Sequence, residues 1–76
     1  MDIAKKIEFA REVHKSIYVT RKRLDDLKAD AFWIPGSKSS GYLIVSDEGA
    51  FLYRPSTFPP AKVVEEYVRG IRSKKD

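Results

Sequence analysis

From Asp2 to Asp30 the chain contains no glycine and no proline, and its apolar residues recur at the spacing of an α-helix. Asp2 stands where a helix N-cap is expected, and its negative charge suits the positive end of the helix dipole. The pattern predicts one long helix over residues 2–30. The alternative is a pair of helices hinged near Thr20, because a continuous helix would place Val19 in the middle of its polar face.

One set of apolar positions along this segment repeats every seven residues, with a second set three residues further on. This repeat is typical of a helix that packs lengthwise against another helix. An unbroken helix here would be roughly 43 Å long, which exceeds the width of so small a domain. We therefore expect two copies to pair as a homodimer, since two-fold dimers are the commonest oligomers. The predicted dimer seam consists of Ile3, Ala10, Val13, Ile17, Leu24 and Leu27.

Three short apolar runs follow, AFWI, YLIVS and AFLYR, and they predict a three-stranded antiparallel meander over residues 31–55. Asp47-Glu48-Gly49 has the composition of a three-residue hairpin loop, with Gly49 in the left-handed conformation. The resulting register pairs Val45 with Phe51, Leu43 with Tyr53, and Ile44 with Leu52. Both faces of this hairpin are apolar, so it requires cover on both sides.

The last part of the chain predicts a second helix over residues 58–72. Thr57 and Pro59-Pro60 form its entry, because proline is tolerated in the first turn of a helix. Its apolar positions are Val63, Val64, Tyr67, Val68 and Ile71. Residues 73–76 form a basic tail. The predicted fold is a single small α+β domain over residues 1–76, with the element order α-β-β-β-α.

The chain has 76 residues, no cysteine and a single histidine, His14. A chain of this length buries only about 60% of its unfolded surface, so its own core is marginal. Disulfides and a thiolate or imidazole metal site are excluded by composition, and no cofactor is expected. Association with a partner is then the remaining way to add stability.

Unbroken apolar runs such as AFWI and AFLY are far shorter than the ~20 residues that a membrane-spanning helix needs. The start of the chain also lacks the apolar segment of a signal peptide. We therefore expect a cytoplasmic protein without membrane contact.

The segment PGSKSSGY, Pro35 to Tyr42, has two glycines that bracket small and basic residues, as in phosphate-binding loops. Such a loop requires Lys and Ser or Thr after the second glycine and leads into a helix. Here Gly41 is followed by Tyr42 and a predicted strand. The segment is therefore interpreted as a turn between strands.

The chain carries a net charge of +4, and its densest basic run is Arg21-Lys22-Arg23. On a helix these side chains fan out, and Arg21 and Lys22 reach Asp25 and Asp26 four residues on, which is typical of a solvated surface. The competing interpretation is contact with nucleic acid phosphates. Its residues are Arg21, Lys22, Arg23, Arg72, Lys74 and Lys75.

A winged helix-turn-helix, with residues 21–30 as the reading helix, is a further alternative. The acidic hairpin tip Asp47-Glu48 would face the phosphates of DNA, and the expected turn glycine is absent. Both features count against this alternative.

No constellation of catalytic side chains emerges, because the adjacent carboxylate pairs lie in exposed settings and His14 lacks a nucleophile on its helix face. The sequence predicts a non-enzymatic interaction or regulatory protein that acts by protein–protein contacts. Its predicted contact residues are Trp33, Lys38 and Tyr42, since tryptophan is enriched at interface hot spots.

Overall fold

The computed structural model describes residues 1–36 and 41–74. In chain order its elements are α1 (Ile3–His14), β1 (Thr20–Leu24), a 3-10 turn (Asp25–Leu27), β2 (Ala29–Trp33), β3 (Tyr42–Ser46), β4 (Phe51–Arg54) and α2 (Pro60–Val68). The strands form one antiparallel sheet in the order β1-β2-β3-β4. The predicted α+β fold is confirmed, with one strand more than expected.

Helix α1 begins where the sequence predicts, but it ends at His14, well before the predicted end at residue 30. The Asp2 carboxylate accepts a hydrogen bond of 2.9 Å from the backbone N–H of Lys5 and caps the first turn. Lys15 adopts the left-handed conformation, with φ of 54°, and closes the helix. The prediction of a helix over residues 2–30 is therefore wrong beyond His14.

Both the continuous and the hinged version of the prediction place residues 20–30 in a helix. In the structure these residues belong to a β-hairpin that spans residues 20–33. Lys28, at φ of 51°, reverses the chain between β1 and β2. Side chains alternate across the sheet, so Leu24 faces one helix while Arg23 faces the other. The winged helix-turn-helix alternative is also wrong, because its reading helix is in fact an edge strand and a turn.

The β3–β4 hairpin has the predicted register: Val45 pairs with Phe51, Leu43 with Tyr53, and Ile44 with Leu52. Gly49 takes the predicted left-handed conformation, with φ of 98°. The two apolar faces of the β3–β4 hairpin are covered by the chain's own two helices. Ala10 of α1 packs with Phe32, Leu43 and Val45, and Val63 and Tyr67 of α2 pack with Ala29, Ala31, Ile44 and Leu52.

Helix α2 is shorter than the predicted span of residues 58–72, and it lies over β3 and β4. Beyond it the chain runs back along β4. The N–H of Ser73 donates to the carbonyl of Phe51 at 2.8 Å, and the N–H of Tyr53 donates to Ser73 Oγ at 2.9 Å. The outer edge of β4 is thus partly paired by the segment that was predicted to be a tail.

With 12 and 9 residues, α1 and α2 are each too short to cross a bilayer, and residues 1–36 and 41–74 contain no helix that is long and apolar enough to do so.

Candidate interaction surface

Trp33 of β2 and Tyr42 of β3 form a stacked pair on the α2 side of the sheet. Their ring centroids lie 5.6 Å apart with an interplanar angle of 14°. Both side chains are half-buried against the core beneath α2, and burial raises the pKa of the Tyr42 phenol. Two of the three predicted contact residues are thus neighbours in space, whereas Lys38 lies outside the described residues.

The stacked pair belongs to a row of side chains that crosses all four strands. Thr20 pairs with Trp33, and Tyr42 pairs with Arg54. The Arg54 guanidinium lies 5.6 Å from the ring centroid of Phe58 and donates a 2.7 Å hydrogen bond from Nε to Glu66 of α2. This contact fixes the end of β4 to α2, so the aromatic row rests on rigid elements.

A groove of about 550 Å³ separates β1 from α2 on the same side of the sheet. Its apolar lining consists of Leu24, Leu27, Val64 and Val68. Arg23, Asp25 and Asp26 also line it, although the Arg23 guanidinium binds carboxylates on the α1 side. The groove exists because α2 lies over β3 and β4 and not centrally over the sheet. Val68, on the α2 wall of the groove, is 63% exposed.

Sequence reasoning missed the groove, although one signal was present. The five apolar positions of α2 and its C-terminal extension span more than one helix face, so they exceed what contact with a single sheet requires.

The α1 side of β1 and β2 holds a cluster of charged side chains around Asp30, which is only 1% exposed. Asp30 accepts hydrogen bonds from Lys6 Nζ at 2.7 Å, Arg21 Nε at 2.7 Å and Arg23 Nη1 at 3.1 Å. Asp47 joins the cluster through Lys6 at 2.5 Å and Arg23 at 2.7 Å. The cluster therefore links α1, β1, β2 and the β3–β4 loop.

The carboxylates of this cluster are held in their charged form. Burial by itself would raise the pKa of Asp30, but hydrogen bonds from Lys6 and Arg21 outweigh it and lower that pKa. Hydrogen bonds from Arg23 and then Lys6 hold the pKa of the Asp47 carboxyl well below its usual range. For Lys6, burial acts to lower the pKa, and the hydrogen bonds to Asp30 and Asp47 raise it overall.

The basic run does not form one surface. Arg21 and Arg23 face α1 and are bound to carboxylates, whereas Lys22 pairs with Ala31 on the opposite side of the sheet. The predicted pairs of Arg21 with Asp25 and Lys22 with Asp26 are wrong, because they assume helical spacing. Arg21 instead pairs with Asp30, and Arg23 pairs with Asp25 at 3.1 Å.

The cations near the end of the chain lie on other elements. Arg72 stacks on Tyr67, with its guanidinium carbon 3.6 Å from the ring centroid, and donates 2.8 Å hydrogen bonds to the carbonyls of Tyr67 and Ile71. Lys74 is exposed, and Lys75 lies outside the described residues. Arg72 is thus held against α2, away from the carboxylate-bound arginines of β1.

The predicted dimer seam is divided among three parts of the fold. Ile3, Ala10 and Val13 belong to α1, Ile17 lies in the connection to β1, and Leu24 and Leu27 lie on β1 and the turn after it. Ala10 and Val13 pack on the α1 side of the sheet, whereas Leu24 and Leu27 pack on the α2 side. The helical stripe on which the seam depended therefore does not exist in the described residues.

His14, the single histidine, is buried at the end of α1, where its Nε2 lies 3.2 Å from the carbonyl oxygen of Phe32 and its ring meets Tyr53 edge-on. Because a carbonyl only accepts, Nε2 carries the proton and donates it. In residues 1–36 and 41–74, no three or more histidine or carboxylate side chains are grouped to hold a metal ion.

Comparison with known proteins yields no match: no family model, no curated protein and no solved structure matches this chain.

Proposed function

We propose that this is a non-enzymatic interaction protein that binds another protein through the α2 side of its sheet. The observation that carries the proposal is the stacked Trp33–Tyr42 pair, half-buried and held in place by its neighbours across the strands. Binding energy at protein interfaces concentrates in such rigid aromatic anchors, because little side-chain entropy is lost when they bind. Lys38, five residues after Trp33 in the sequence, is kept as a proposed contact.

The groove beside α2 supports the same surface. Leu24, Leu27, Val64 and Val68 add apolar area to the side of the sheet on which Trp33 and Tyr42 stand. These groove residues lie at the opposite end of the strands from the stacked pair, since Leu24 pairs with Ala29 whereas Thr20 pairs with Trp33. A second copy of the chain as the partner stays a prediction, now without the helical seam that motivated it.

Nucleic acid binding has less support, because Arg21 and Arg23 already neutralise Asp30 and Asp47. A titration with duplex and single-stranded DNA at low salt separates the two functions. We expect no binding, whereas salt-sensitive binding that is lost on substitution of Lys22 and Lys74 would favour the alternative.

The test of the proposal is quantitative affinity purification from the host with four tagged forms: wild type, Trp33→Ala, Tyr42→Ala and Ile17→Ala. Ile17 is the matched apolar control, since it is 66% exposed and lies in the connection between α1 and β1, outside the strands that carry Trp33 and Tyr42. Circular dichroism confirms that each variant is folded. We expect at least one associated protein to be lost with both aromatic variants and kept with Ile17→Ala. An unchanged set of associated proteins in the aromatic variants would refute the assignment.

A further inference from the structure

The two edges of the sheet differ in how they are protected. In the described part of the chain, β1 and β4 are the outer strands, so each has one edge without a neighbouring strand. Such an edge can pair with another chain, and proteins prevent this with charged side chains or with a covering segment. The β1 edge carries Arg21-Lys22-Arg23, whereas Phe51-Leu52-Tyr53 of β4 is uncharged. The segment of residues 71–74, here called the strap, lies against the β4 edge through Ser73.

The hydrogen bonds of the strap show which backbone groups of β4 face outward. The N–H of Ser73 donates to the carbonyl of Phe51 at 2.8 Å, and the N–H of Tyr53 donates to Ser73 Oγ at 2.9 Å. Successive residues of a strand direct their backbone groups alternately to its two neighbours, so Leu52 faces its partner Ile44 in β3. Ser73 thus takes the place of one residue of a further strand, with its hydroxyl standing in for a backbone carbonyl.

The strap is attached to α2 independently of its contact with β4. Ile71 packs, half-buried, against the core beneath α2. The Arg72 guanidinium stacks on Tyr67 of α2 and donates to its carbonyl at 2.8 Å. Because a single hydrogen bond contributes little net stability, Ser73 can leave β4 while Ile71 and Arg72 keep their contacts with α2. Release of Ser73 therefore opens the β4 edge without unfolding the core.

The opened β4 edge is complementary to a second copy of itself. Outward-facing residues of two antiparallel strands lie opposite each other. Two β4 strands related by a two-fold axis at Leu52 therefore set Phe51 of one copy opposite Tyr53 of the other. The outward N–H and C=O groups of both residues then bond to backbone groups across the axis, and aromatic pairs directly opposite each other are favourable.

The β1 edge does not allow the same pairing. Lys22 is the central residue of β1. Two copies of β1 paired about it would set Lys22 opposite Lys22 and Arg21 opposite Arg23, and like charges directly opposite are destabilising. A sheet that joins two copies through β4 would thus end in a charged β1 edge on both sides. Association then stops at a closed two-fold dimer.

We infer that the β4 edge is a self-association surface that the strap covers. Displacement of Ser73 from β4 lets two copies of the chain pair antiparallel about Leu52, and their sheets join into one. The strap is thus an autoinhibitory contact. This inference concerns the edge of the sheet and does not depend on the proposed function, which uses the α2 side of the sheet.

Sedimentation across a dilution series tests the inference with wild type, Ser73→Pro, Ser73→Ala and Lys74→Ala. Ser73→Pro removes both the N–H donor and Oγ, whereas Ser73→Ala removes Oγ alone. Lys74→Ala changes an exposed residue of the strap and is the matched control. We expect Ser73→Pro to dimerise at a concentration at least about tenfold lower than wild type, Ser73→Ala to lie between them, and Lys74→Ala to match wild type. Circular dichroism confirms that each variant is folded.

Amide hydrogen exchange, measured by NMR, locates the contact. In dilute Ser73→Pro the amide of Tyr53 should exchange faster than in wild type, because it has lost its bond to Ser73 Oγ. At concentrations where the dimer forms, the amides of Phe51 and Tyr53 should both become protected. The amides of Arg21 and Arg23, at the β1 edge, should not change.

Three results would overturn the inference: a folded Ser73→Pro protein that associates no more than wild type, protection that grows with concentration at Arg21 and Arg23, or assemblies larger than a dimer. Where Ser73→Pro does not fold, Ser73→Ala carries the comparison. An unchanged dimerisation of Ser73→Ala, although its Tyr53 amide exchanges faster, would then refute the role of the strap. The Trp33 and Tyr42 variants test the proposed function separately.

Discussion

The Nζ atom of Lys6 in α1 lies 2.7 Å from Oδ2 of Asp30 in β2, and both side chains are at most 3% exposed. A fully buried lysine–aspartate pair is rare, because both ions must be removed from water. Here Arg21 and Arg23 from β1 also donate to the Asp30 carboxylate. The pair therefore joins the amino-terminal helix to the strand hairpin that follows it.

Substitution of Asp30 by Asn should strongly destabilise the fold, because it leaves Lys6 buried with a weaker partner. We expect the free energy of unfolding to fall by about 3 kcal/mol, the lower end of the range for a broken buried pair, since Asp47 still contacts Lys6. Urea denaturation measures the change. Asp26→Asn is the matched control, and it should stay within about 0.5 kcal/mol of wild type. Equal effects of the two substitutions would contradict the role of the cluster.

The same cluster predicts a loss of stability in acid. The folded-state pKa values of Asp30 and Asp47 are lowered, so their contribution is fully present above the unfolded pKa and is lost as pH falls through the folded values. The free energy of unfolding should therefore change little from pH 7 down to about pH 5 and fall progressively below about pH 4. Thermal melts across this range, for wild type and for Asp47→Asn, provide the measurement. The variant should show a shallower acid dependence, and parallel curves would count against the assignment.

Gly41 should tolerate substitution less well than Gly36, although both have φ near +75°. A Cβ atom at Gly41 would lie 2.5 Å from the carbonyl oxygen of Arg54 and 2.7 Å from the hydroxyl of Tyr53, whereas at Gly36 nothing lies within 4 Å. Gly36→Ala should cost about 1–2 kcal/mol from the left-handed backbone alone. Gly41→Ala should cost clearly more, as judged by chemical denaturation. A smaller cost at Gly41 would contradict the close approach.

Substitution of Val63 and of Val68, two of the three valines of α2, should distinguish the core from the groove. Val63 is fully buried, whereas Val68 is 63% exposed. Val63→Ala should lower the free energy of unfolding by roughly 1.6 kcal/mol, at about 0.8 kcal/mol for each buried carbon removed. Val68→Ala should change it by less than about 0.5 kcal/mol. Urea unfolding of both variants checks this, and a large loss at Val68 would mean that it belongs to the core and not to a binding groove.

Local signals in the sequence were enough to predict the start of α1, the β3–β4 hairpin and the start of α2. Asp2 caps its own helix, Gly49 permits the left-handed turn, and Pro59-Pro60 precede the second helix. Each of these features depends on residues that are neighbours along the chain. For the candidate site, Trp33 and Tyr42 were proposed as contact residues from the sequence, since tryptophan is enriched at interface hot spots.

The secondary structure of residues 20–33 was decided by tertiary contacts. The apolar spacing of Leu24, Leu27 and Ala31 fits a helix stripe as well as it fits one face of a hairpin, so the pattern alone favours neither. The strand conformation of β2 is favoured because β2 pairs with β3 on one side and with β1 on the other. It is also favoured because Asp30 binds Lys6, which lies 24 residues away in the sequence. These energies come from contacts distant in sequence, which no local pattern records.

The candidate surface also depends on contacts between residues that are distant in sequence. Trp33 and Tyr42 stack only because antiparallel pairing sets β2 beside β3, and the groove opens only because residues 20–24 extend the sheet beyond the reach of α2. Residue type determined which side chains were proposed as contacts. Strand pairing determined where they meet, since the hydrogen bonds of a sheet join segments that the sequence keeps apart.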